Sequence, residues 1–137
     1  MIVGIGVDIC ACQRMAAALD RHPGLARKLF TETELTAAGQ PPEVTKLAAR
    51  FAAKEALAKA LGVPDGLRWQ DCQVVNDAAG QPSFELTGTV ALAAQRRSAD
   101  RIWLSLSHEH DTAIAMVICE KINDESLPST VGSAGLV

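Results

Sequence analysis

Residues 43–61 read EVTKLAARFAAKEALAKAL, the strongest helical pattern in the chain. The segment is rich in Ala, Leu and Lys, which have high intrinsic helix propensity, and Gly62 with Pro64 just beyond marks its end. We therefore predict one long helix over 43–61, and the remaining segments must be arranged around it.

The segments on either side have the patterns of short strands and further helices. Residues 2–8, IVGIGVD, favour a strand, and their two glycines at alternate positions suit a buried strand that another backbone approaches closely. Apolar residues with helical spacing follow over 11–30, with an interruption at Pro23 and Gly24. The later patterns predict a short helix from 32 to about 39 behind a Thr31/Glu34 capping box, a hairpin over 69–88, an Ala-rich helix over 89–99, and a second hairpin formed by 101–108 and 112–121.

The composition limits the classes of protein that this chain can represent. Its 137 residues are enough for one domain, and 48% hydrophobic with 21% charged residues are ordinary values for a globular protein. Aromatic residues make up only 4%, which leaves little material for the stacking surfaces that bind single-stranded nucleic acid. The formal charge of −3 is opposite to that of a general binder of nucleic acid or anionic membranes, so neither partner is expected.

The cysteines and the two ends of the chain lead to further expectations. The four cysteines, at 10, 12, 72 and 119, show no CxxC pair and no Cys/His cluster with zinc spacing, so we expect reduced thiols and no zinc site. The first residues lack the features of a signal peptide, and no segment offers the roughly 18 apolar residues of a membrane helix. We expect a cytoplasmic protein with one domain over 1–122 and a flexible tail over 123–137.

Two carboxylates in apolar surroundings are candidates for chemistry. Asp8 follows an apolar run, where a buried carboxylate without a partner is costly and a cation would supply that partner. Glu55 is surrounded by alanines, which let other groups approach the helix, and Lys59 lies four residues later on the same face. Ordinary alternatives remain open, namely Asp8 as the cap of the following helix and Glu55 with Lys59 as a solvated ion pair.

These residue types point to chemistry on phosphate. Oxygen ligands without nearby Cys or His suit Mg²⁺, which takes one or two protein carboxylates and completes its shell with water and phosphate oxygens. Asp8 and Glu55 are therefore candidate Mg²⁺ ligands, and Lys59 is a candidate for neutralising charge on a phosphate leaving group. His108 is a candidate for phosphate binding or proton transfer, although two histidines in a hairpin loop, His108 and His110, are also an ordinary solvated feature.

Four motifs stand in order along the chain: GIGVDI at 4–9, RFAAKEALAKALG at 50–62, GQP at 80–82, and LSLSH with AIAMVI over 104–118. Together they resemble one family, the holo-acyl-carrier-protein synthases, which are the short type of 4′-phosphopantetheinyl transferase. The resemblance extends over almost the whole chain through about residue 120. It implies an α+β fold with an antiparallel sheet and a long central helix, assembled as a homotrimer whose active sites are shared between subunits.

The resemblance also implies an activity and a set of site residues. The implied reaction is Mg²⁺-dependent transfer of the phosphopantetheine arm from coenzyme A to a serine of an apo acyl carrier protein, with release of adenosine 3′,5′-bisphosphate. Asp8 and Glu55 match the family's Mg²⁺ ligands, Lys59 matches the lysine that contacts coenzyme A phosphate, and these three are the expected catalytic residues. The expected coenzyme A-binding residues are Arg50, Lys59, Gly80, Pro82 and His108, with Gln81 in place of a basic residue often found in that turn.

The N-terminal helical region carries a local basic patch, made of Arg14, Arg21, Arg27 and Lys28. Acyl carrier proteins are strongly acidic, so the resemblance implies that this patch docks the carrier. A solvated helix face with no partner is the alternative. For the whole chain, the alternative functions are a non-catalytic coenzyme A-binding module of the same fold and a structural trimer.

Overall fold

The structure is a computed structural model that describes residues 1–122, so the expected tail over 123–137 lies outside the described residues. The predicted order of strands and helices is confirmed, and the long helix is α4. The elements are β1 (Ile2–Ala11), α1 (Cys12–Arg21), α2 (Leu25–Leu29), α3 (Glu32–Ala37), α4 (Val44–Ala60), a 3-10 turn (Trp69–Asp71), β2 (Cys72–Asn76), β3 (Pro82–Leu86), α5 (Gly88–Arg96), β4 (Arg101–Glu109) and β5 (Thr112–Glu120).

The strands form an antiparallel sheet in the order β1, β5, β4 and a separate β2–β3 hairpin. The predicted α+β class with an antiparallel sheet is confirmed. The prediction that the first strand ends at Asp8 is wrong, because β5 offers a pairing partner for β1 as far as Ala11, opposite Thr112. Likewise β4 continues to Glu109, so His108 lies within a strand rather than in the hairpin loop.

Helix α4 lies directly on β1 because two residues of the strand have no side chain. A Cβ added at Gly4 would lie 1.9 Å from the carbonyl oxygen of Ala60, and one at Gly6 would lie 1.8 Å from that of Ala56. Only glycine permits this approach, as the alternate glycines of the sequence predict. Asp8, on the same face of β1 as these glycines, is therefore held close to the C-terminal half of α4.

The core around α4 depends on small side chains. Four alanines of this helix, Ala52, Ala53, Ala56 and Ala60, are at most 1% exposed, and they face β1, β5 and the β2–β3 hairpin. Because alanine adds little bulk, elements can pack on several sides of the helix at once. The polar side chains of α4 are consequently confined to the gaps between the elements that pack on this helix.

The face of the sheet that points away from α4 is also apolar, because side chains alternate between the two faces of a strand. Its large apolar side chains are 38% to 63% exposed in the single chain. Soluble monomers rarely expose apolar patches of this kind. We call this set the apolar sheet face, and it consists of Ile5, Val7, Ile9, Trp103, Ile114 and Met116.

The structure bears on the expectations about the cysteines and about membrane-spanning helices. The cysteines at 10, 12, 72 and 119 are free thiols in the structure. Over residues 1–122, no helix has both the length and the apolar content needed to cross a bilayer. The cytoplasmic location stays a prediction.

Candidate active site

Strand β1 and helix α4 bring Asp8 and Lys59 together as an ion pair. The Lys59 ammonium donates to Asp8 Oδ1 at 2.9 Å and to the carbonyl oxygen of Val7 at 3.0 Å. Asp8 does not cap the following helix, because the first amides of α1 donate to Asp111 of the β4–β5 turn instead. Both ordinary alternatives are therefore wrong: Asp8 is not a cap, and Lys59 pairs with Asp8 rather than with Glu55.

Glu55 and Asp8 line one cavity of about 360 Å³, which we call the carboxylate cavity. The pKa of Glu55 is raised above its ordinary value of 4.5, chiefly because burial disfavours the charged form and further because the Asp8 carboxylate repels it. The Lys59 ammonium acts on this pKa in the opposite direction. Two carboxylates that repel one another at one cavity make a position where a cation is favoured.

The donors of the carboxylate cavity suit a hard cation. Asp8 and Glu55 offer carboxylate oxygens, the ligands that Mg²⁺ prefers, and leave room for water or phosphate oxygens. The Cys10 thiol also lines the cavity, and burial raises its pKa to about 11, so this thiol is protonated near neutral pH in the chain without a metal. The residues present therefore fit Mg²⁺ better than a metal that requires sulfur ligands.

A second cavity, of about 370 Å³, contains Arg50 together with Lys46, Asn76 and Gly80, and we call it the arginine cavity. Arg50 is 8% exposed, and among residues 1–122 its Nε and Nη1 atoms have no hydrogen-bond partner. Burial lowers the pKa of Arg50, and the Glu34 carboxylate opposes this effect. A buried guanidinium with free donors at a cavity is suited to bind a phosphate group.

The edge of the arginine cavity is formed by the turn between β2 and β3. Asp77 Oδ1 accepts hydrogen bonds from the backbone amides of Ala79 and Gln81, and the Asn76 amide group donates to the Gly80 carbonyl oxygen. Gly80 has a φ of +86°, in the left-handed region that favours glycine. The predicted turn is therefore confirmed, and Pro82 begins β3 directly after it.

Four of the expected site residues are divided between two different cavities of the chain. Arg50 and Glu55 are five residues apart on α4, so their side chains point roughly 140° apart around the helix. Asp8 and Glu55 line the carboxylate cavity, whereas Arg50 and Gly80 line the arginine cavity. His108 is exposed on the edge strand β4 and lines neither of these two cavities.

The basic patch is divided between two helices. Arg14 and Arg21 belong to α1, whereas Arg27 and Lys28 lie in the last turn of α2, and all four side chains are exposed. Arg14 also lines the carboxylate cavity. The positive surface therefore continues to the cavity that contains Asp8 and Glu55.

Sequence reasoning missed a buried ion pair between Glu34 and Lys54. The Lys54 ammonium lies 2.6 Å from Glu34 Oε1, and both side chains are fully buried. The capping box of Thr31 and Glu34 is confirmed, but the pattern does not indicate that the same carboxylate also binds a lysine. The sequence contains one weak indication that Lys54 is buried. Lys54 lies in a row along one side of the helix that is otherwise mostly apolar and consists of Leu47, Arg50, Lys54, Leu57 and Leu61.

Paired carboxylates beside a lysine, with a buried guanidinium in a second cavity, suit an enzyme that acts on a phosphate-bearing substrate. A family model described as the 4′-phosphopantetheinyl transferase superfamily matches residues 4–117. The chain is also 52% identical over 122 residues to the holo-[acyl-carrier-protein] synthase of Salinispora arenicola, covering 88% of this chain and 100% of that protein. The chain therefore belongs to the 4′-phosphopantetheinyl transferase superfamily.

Solved structures agree with this assignment. The holo-[acyl-carrier-protein] synthase of Neisseria meningitidis superposes with a TM-score of 0.77 at 35% identity, covering 88% of this chain and 100% of that one. The ACPS–CoA complex from Chronobacterium ammoniagenes gives a TM-score of 0.78 at 28% identity, covering 88% and 98%. The predicted family, fold class and enzyme class, a holo-[acyl-carrier-protein] synthase, are confirmed.

Proposed function

We propose that this chain transfers the 4′-phosphopantetheine arm of coenzyme A to a serine of an apo acyl carrier protein or carrier domain, with release of adenosine 3′,5′-bisphosphate. The observation that carries the proposal is that Asp8 and Glu55 line one cavity and that Lys59 forms an ion pair with Asp8. The bond from the arm's phosphorus to the leaving phosphate breaks as the serine oxygen bonds to that phosphorus. The serine proton must pass to a base, and the negative charge on the leaving group must be offset.

Lys59 is the group that we assign to the leaving phosphate. Two of its three N–H groups are used by Val7 and Asp8, which hold the ammonium in place. Over residues 1–122 the third N–H has no partner, and the side chain is about half exposed, so a phosphate oxygen of a substrate can reach it. A positioned ammonium stabilises charge as it develops, and it needs no rearrangement during the reaction.

Asp8 and Glu55 are the groups that we assign to Mg²⁺. When bound, the ion would supply positive charge that offsets the negative charge of the coenzyme A pyrophosphate. Burial and Asp8 raise the pKa of Glu55 in the chain without a metal, and a bound cation would act on this pKa in the opposite direction, keeping the carboxylate ionised near neutral pH. Glu55 itself or a water bound by the carboxylates then takes the serine proton.

Arg50, Gly80, Pro82 and His108 are the residues that we assign to coenzyme A, and we propose that they act across a subunit boundary of a homotrimer. The separation of the carboxylate and arginine cavities on one chain supports this arrangement, because a neighbouring copy can place its arginine cavity against the carboxylate cavity. The apolar sheet face supports it too, because burial between copies would remove that surface from water.

The basic patch is the surface that we assign to the acidic carrier protein. Its members are exposed, and Arg14 extends it to the carboxylate cavity. A carrier attracted to this surface would present its serine near Asp8 and Glu55. The chain as a whole carries a charge of −3, so an acidic carrier is not attracted to the rest of its surface. Attraction is therefore local, and it favours one orientation of the carrier.

Intact-mass measurement of an apo carrier protein incubated with this chain, coenzyme A and Mg²⁺ tests the proposal. We expect a phosphopantetheine adduct that is absent when a chelator is added. Glu55→Gln should abolish the adduct with the fold retained, and Glu43→Gln, an exposed change on the N-terminal side of the same helix, is the matched control. Absence of the adduct with each carrier tried, or full activity of Glu55→Gln, would refute the proposed reaction or the role of this carboxylate.

A further inference from the structure

The buried pair of Glu34 and Lys54 is fully hydrogen-bonded on the lysine side. The Lys54 ammonium donates to Glu34 Oε1 at 2.6 Å, to the Leu29 carbonyl oxygen at 2.8 Å and to the Trp69 carbonyl oxygen at 3.1 Å. All three N–H groups of the ammonium are therefore used. The lysine connects α4 to the end of α2, to α3 and to the 3-10 turn.

The Glu34 carboxylate also accepts several hydrogen bonds. Glu34 Oε1 also accepts from the Thr31 amide at 2.9 Å, and Oε2 accepts from the Val74 amide at 2.9 Å. A buried ion pair of this kind contributes little net stability, because removing two charges from water is costly. Stability alone is therefore a weak reason for a buried lysine at this position, and the effect of its charge on neighbouring groups is a second one.

Arg50 is the neighbour that the pair affects. It lies one helical turn before Lys54 on the same face of α4, and Glu34 is the acidic group whose field reaches its guanidinium. Within the described part of the chain, Nε and Nη1 of Arg50 have no hydrogen-bond partner, whereas both oxygens of Glu34 accept from other donors. If Lys54 were uncharged, Glu34 would be a buried carboxylate without a cation, and the guanidinium would be the group able to pair with it.

We propose that Lys54 is a positioning residue that occupies Glu34 and thereby leaves the Arg50 guanidinium free to bind a phosphate group of the substrate in the arginine cavity. The inference rests on the proposed function, which assigns Arg50 to coenzyme A. The inference goes beyond that assignment, because it gives Lys54 and Glu34 opposite effects on coenzyme A binding. Lys54 keeps Arg50 available for phosphate, whereas Glu34 competes with phosphate for Arg50.

The test measures the binding of coenzyme A to full-length variants by titration calorimetry. Lys54→Met removes the charge and keeps an unbranched side chain, and we expect binding to weaken about tenfold as Arg50 turns to Glu34. Adding Glu34→Gln to the same chain removes the competitor, so affinity should return to within about twofold of the original chain. In steady-state assays, Lys54→Met should raise KM for coenzyme A and leave kcat within about twofold.

A purely structural role predicts a different result. If the pair only holds the elements together, the double variant should bind no better than Lys54→Met, and that outcome overturns the proposal. Lys46→Met is the matched control, because it removes another lysine of α4, one that lines the arginine cavity and pairs with Glu43 rather than with Glu34. Glu34→Gln should not restore binding in that background.

Two further variants keep the outcomes distinguishable. Arg50→Met should weaken coenzyme A binding, and Lys54→Met should have no additional effect in that chain; unchanged binding by Arg50→Met would instead refute the assignment of Arg50 in the proposed function. If Lys54→Met does not fold, as judged by circular dichroism, Glu34→Gln alone decides. The proposal predicts equal or tighter binding, and a loss of about fivefold or more overturns it.

Discussion

Replacing Gly6 with Ala should separate β1 from α4 and thereby misplace Asp8. The new Cβ would lie 1.8 Å from the carbonyl oxygen of Ala56, whereas real Cβ atoms are not found closer than 3.0 Å to such a neighbour. The obstacle is backbone rather than a flexible side chain, so the strand and the helix must move apart by roughly 1 Å.

This displacement has two measurable consequences. Extra bulk in a closely packed core costs about 1–3 kcal/mol of stability, so thermal unfolding should occur at a lower temperature. The Asp8 to Lys59 distance of 2.9 Å would also increase beyond that of a good hydrogen bond. Because a misplacement of about 1 Å at a reaction site costs roughly 100-fold in rate, the initial rate of adduct formation should fall by about that factor.

The assay is the initial rate of phosphopantetheine adduct formation by intact mass, with the unfolding temperature measured on the same samples. Gly66→Ala is the matched control, since an added Cβ meets nothing within 4 Å there, although the φ of +79° makes the change mildly strained. It should lower stability slightly without changing the rate. A Gly6→Ala variant with the original rate and unfolding temperature would refute the packing argument.

Four further predictions test other parts of the molecule. Met116→Glu should place a charge on the apolar sheet face and convert the proposed trimer to smaller species in light scattering, with loss of activity; a monomeric original chain that is fully active would contradict the proposed trimer. Arg21→Glu should weaken carrier binding and leave coenzyme A binding unchanged, and equal loss of both in titrations would exclude the docking role. Because burial and Asp8 raise the pKa of Glu55 above 4.5 in the chain without a metal, Mg²⁺ affinity should fall as the pH drops through that raised value and the carboxylate gains a proton; Mg²⁺ binding that does not weaken on acidification would exclude Glu55 as a ligand. Hydrogen bonds from the Thr89 amide and hydroxyl hold the pKa of Asp71 below 3.8. The contribution of Asp71 to stability is therefore present above pH 3.8 and is lost as the pH falls through the lowered pKa. Asp71→Asn should lack this acid-dependent part of the unfolding curve.

Much of the fold is predictable from the sequence because its signals are local. The helix pattern of 43–61 gives α4 at Val44–Ala60, and the Thr31/Glu34 pattern gives a capping box at the start of α3. Strand ends are less predictable, because pairing with a distant strand extends them. β1 continues past Asp8 only since β5 lies beside it as far as Thr112.

The candidate site is predictable in its members more than in its contacts. Asp8, Glu55 and Lys59 are identifiable by residue type, apolar surroundings and resemblance. Their pairing is not, because helix spacing suggests that Lys59 binds Glu55, whereas the approach of β1 to α4 gives it Asp8. Lys54 illustrates the same limit, since the sequence does not say which lysine of α4 is buried.

By itself, the sequence determined the order of the elements, the close contact implied by Gly4 and Gly6, the family, and the residues able to perform phosphate chemistry. Only the tertiary structure decided how those residues are divided between two cavities, which carboxylate holds which lysine, and that two Arg50 donors have no partner within residues 1–122. The reason is physical. Helices, turns and caps arise from hydrogen bonds between residues near in sequence, whereas burial, ion pairing and pKa shifts depend on segments that meet only when the chain has folded.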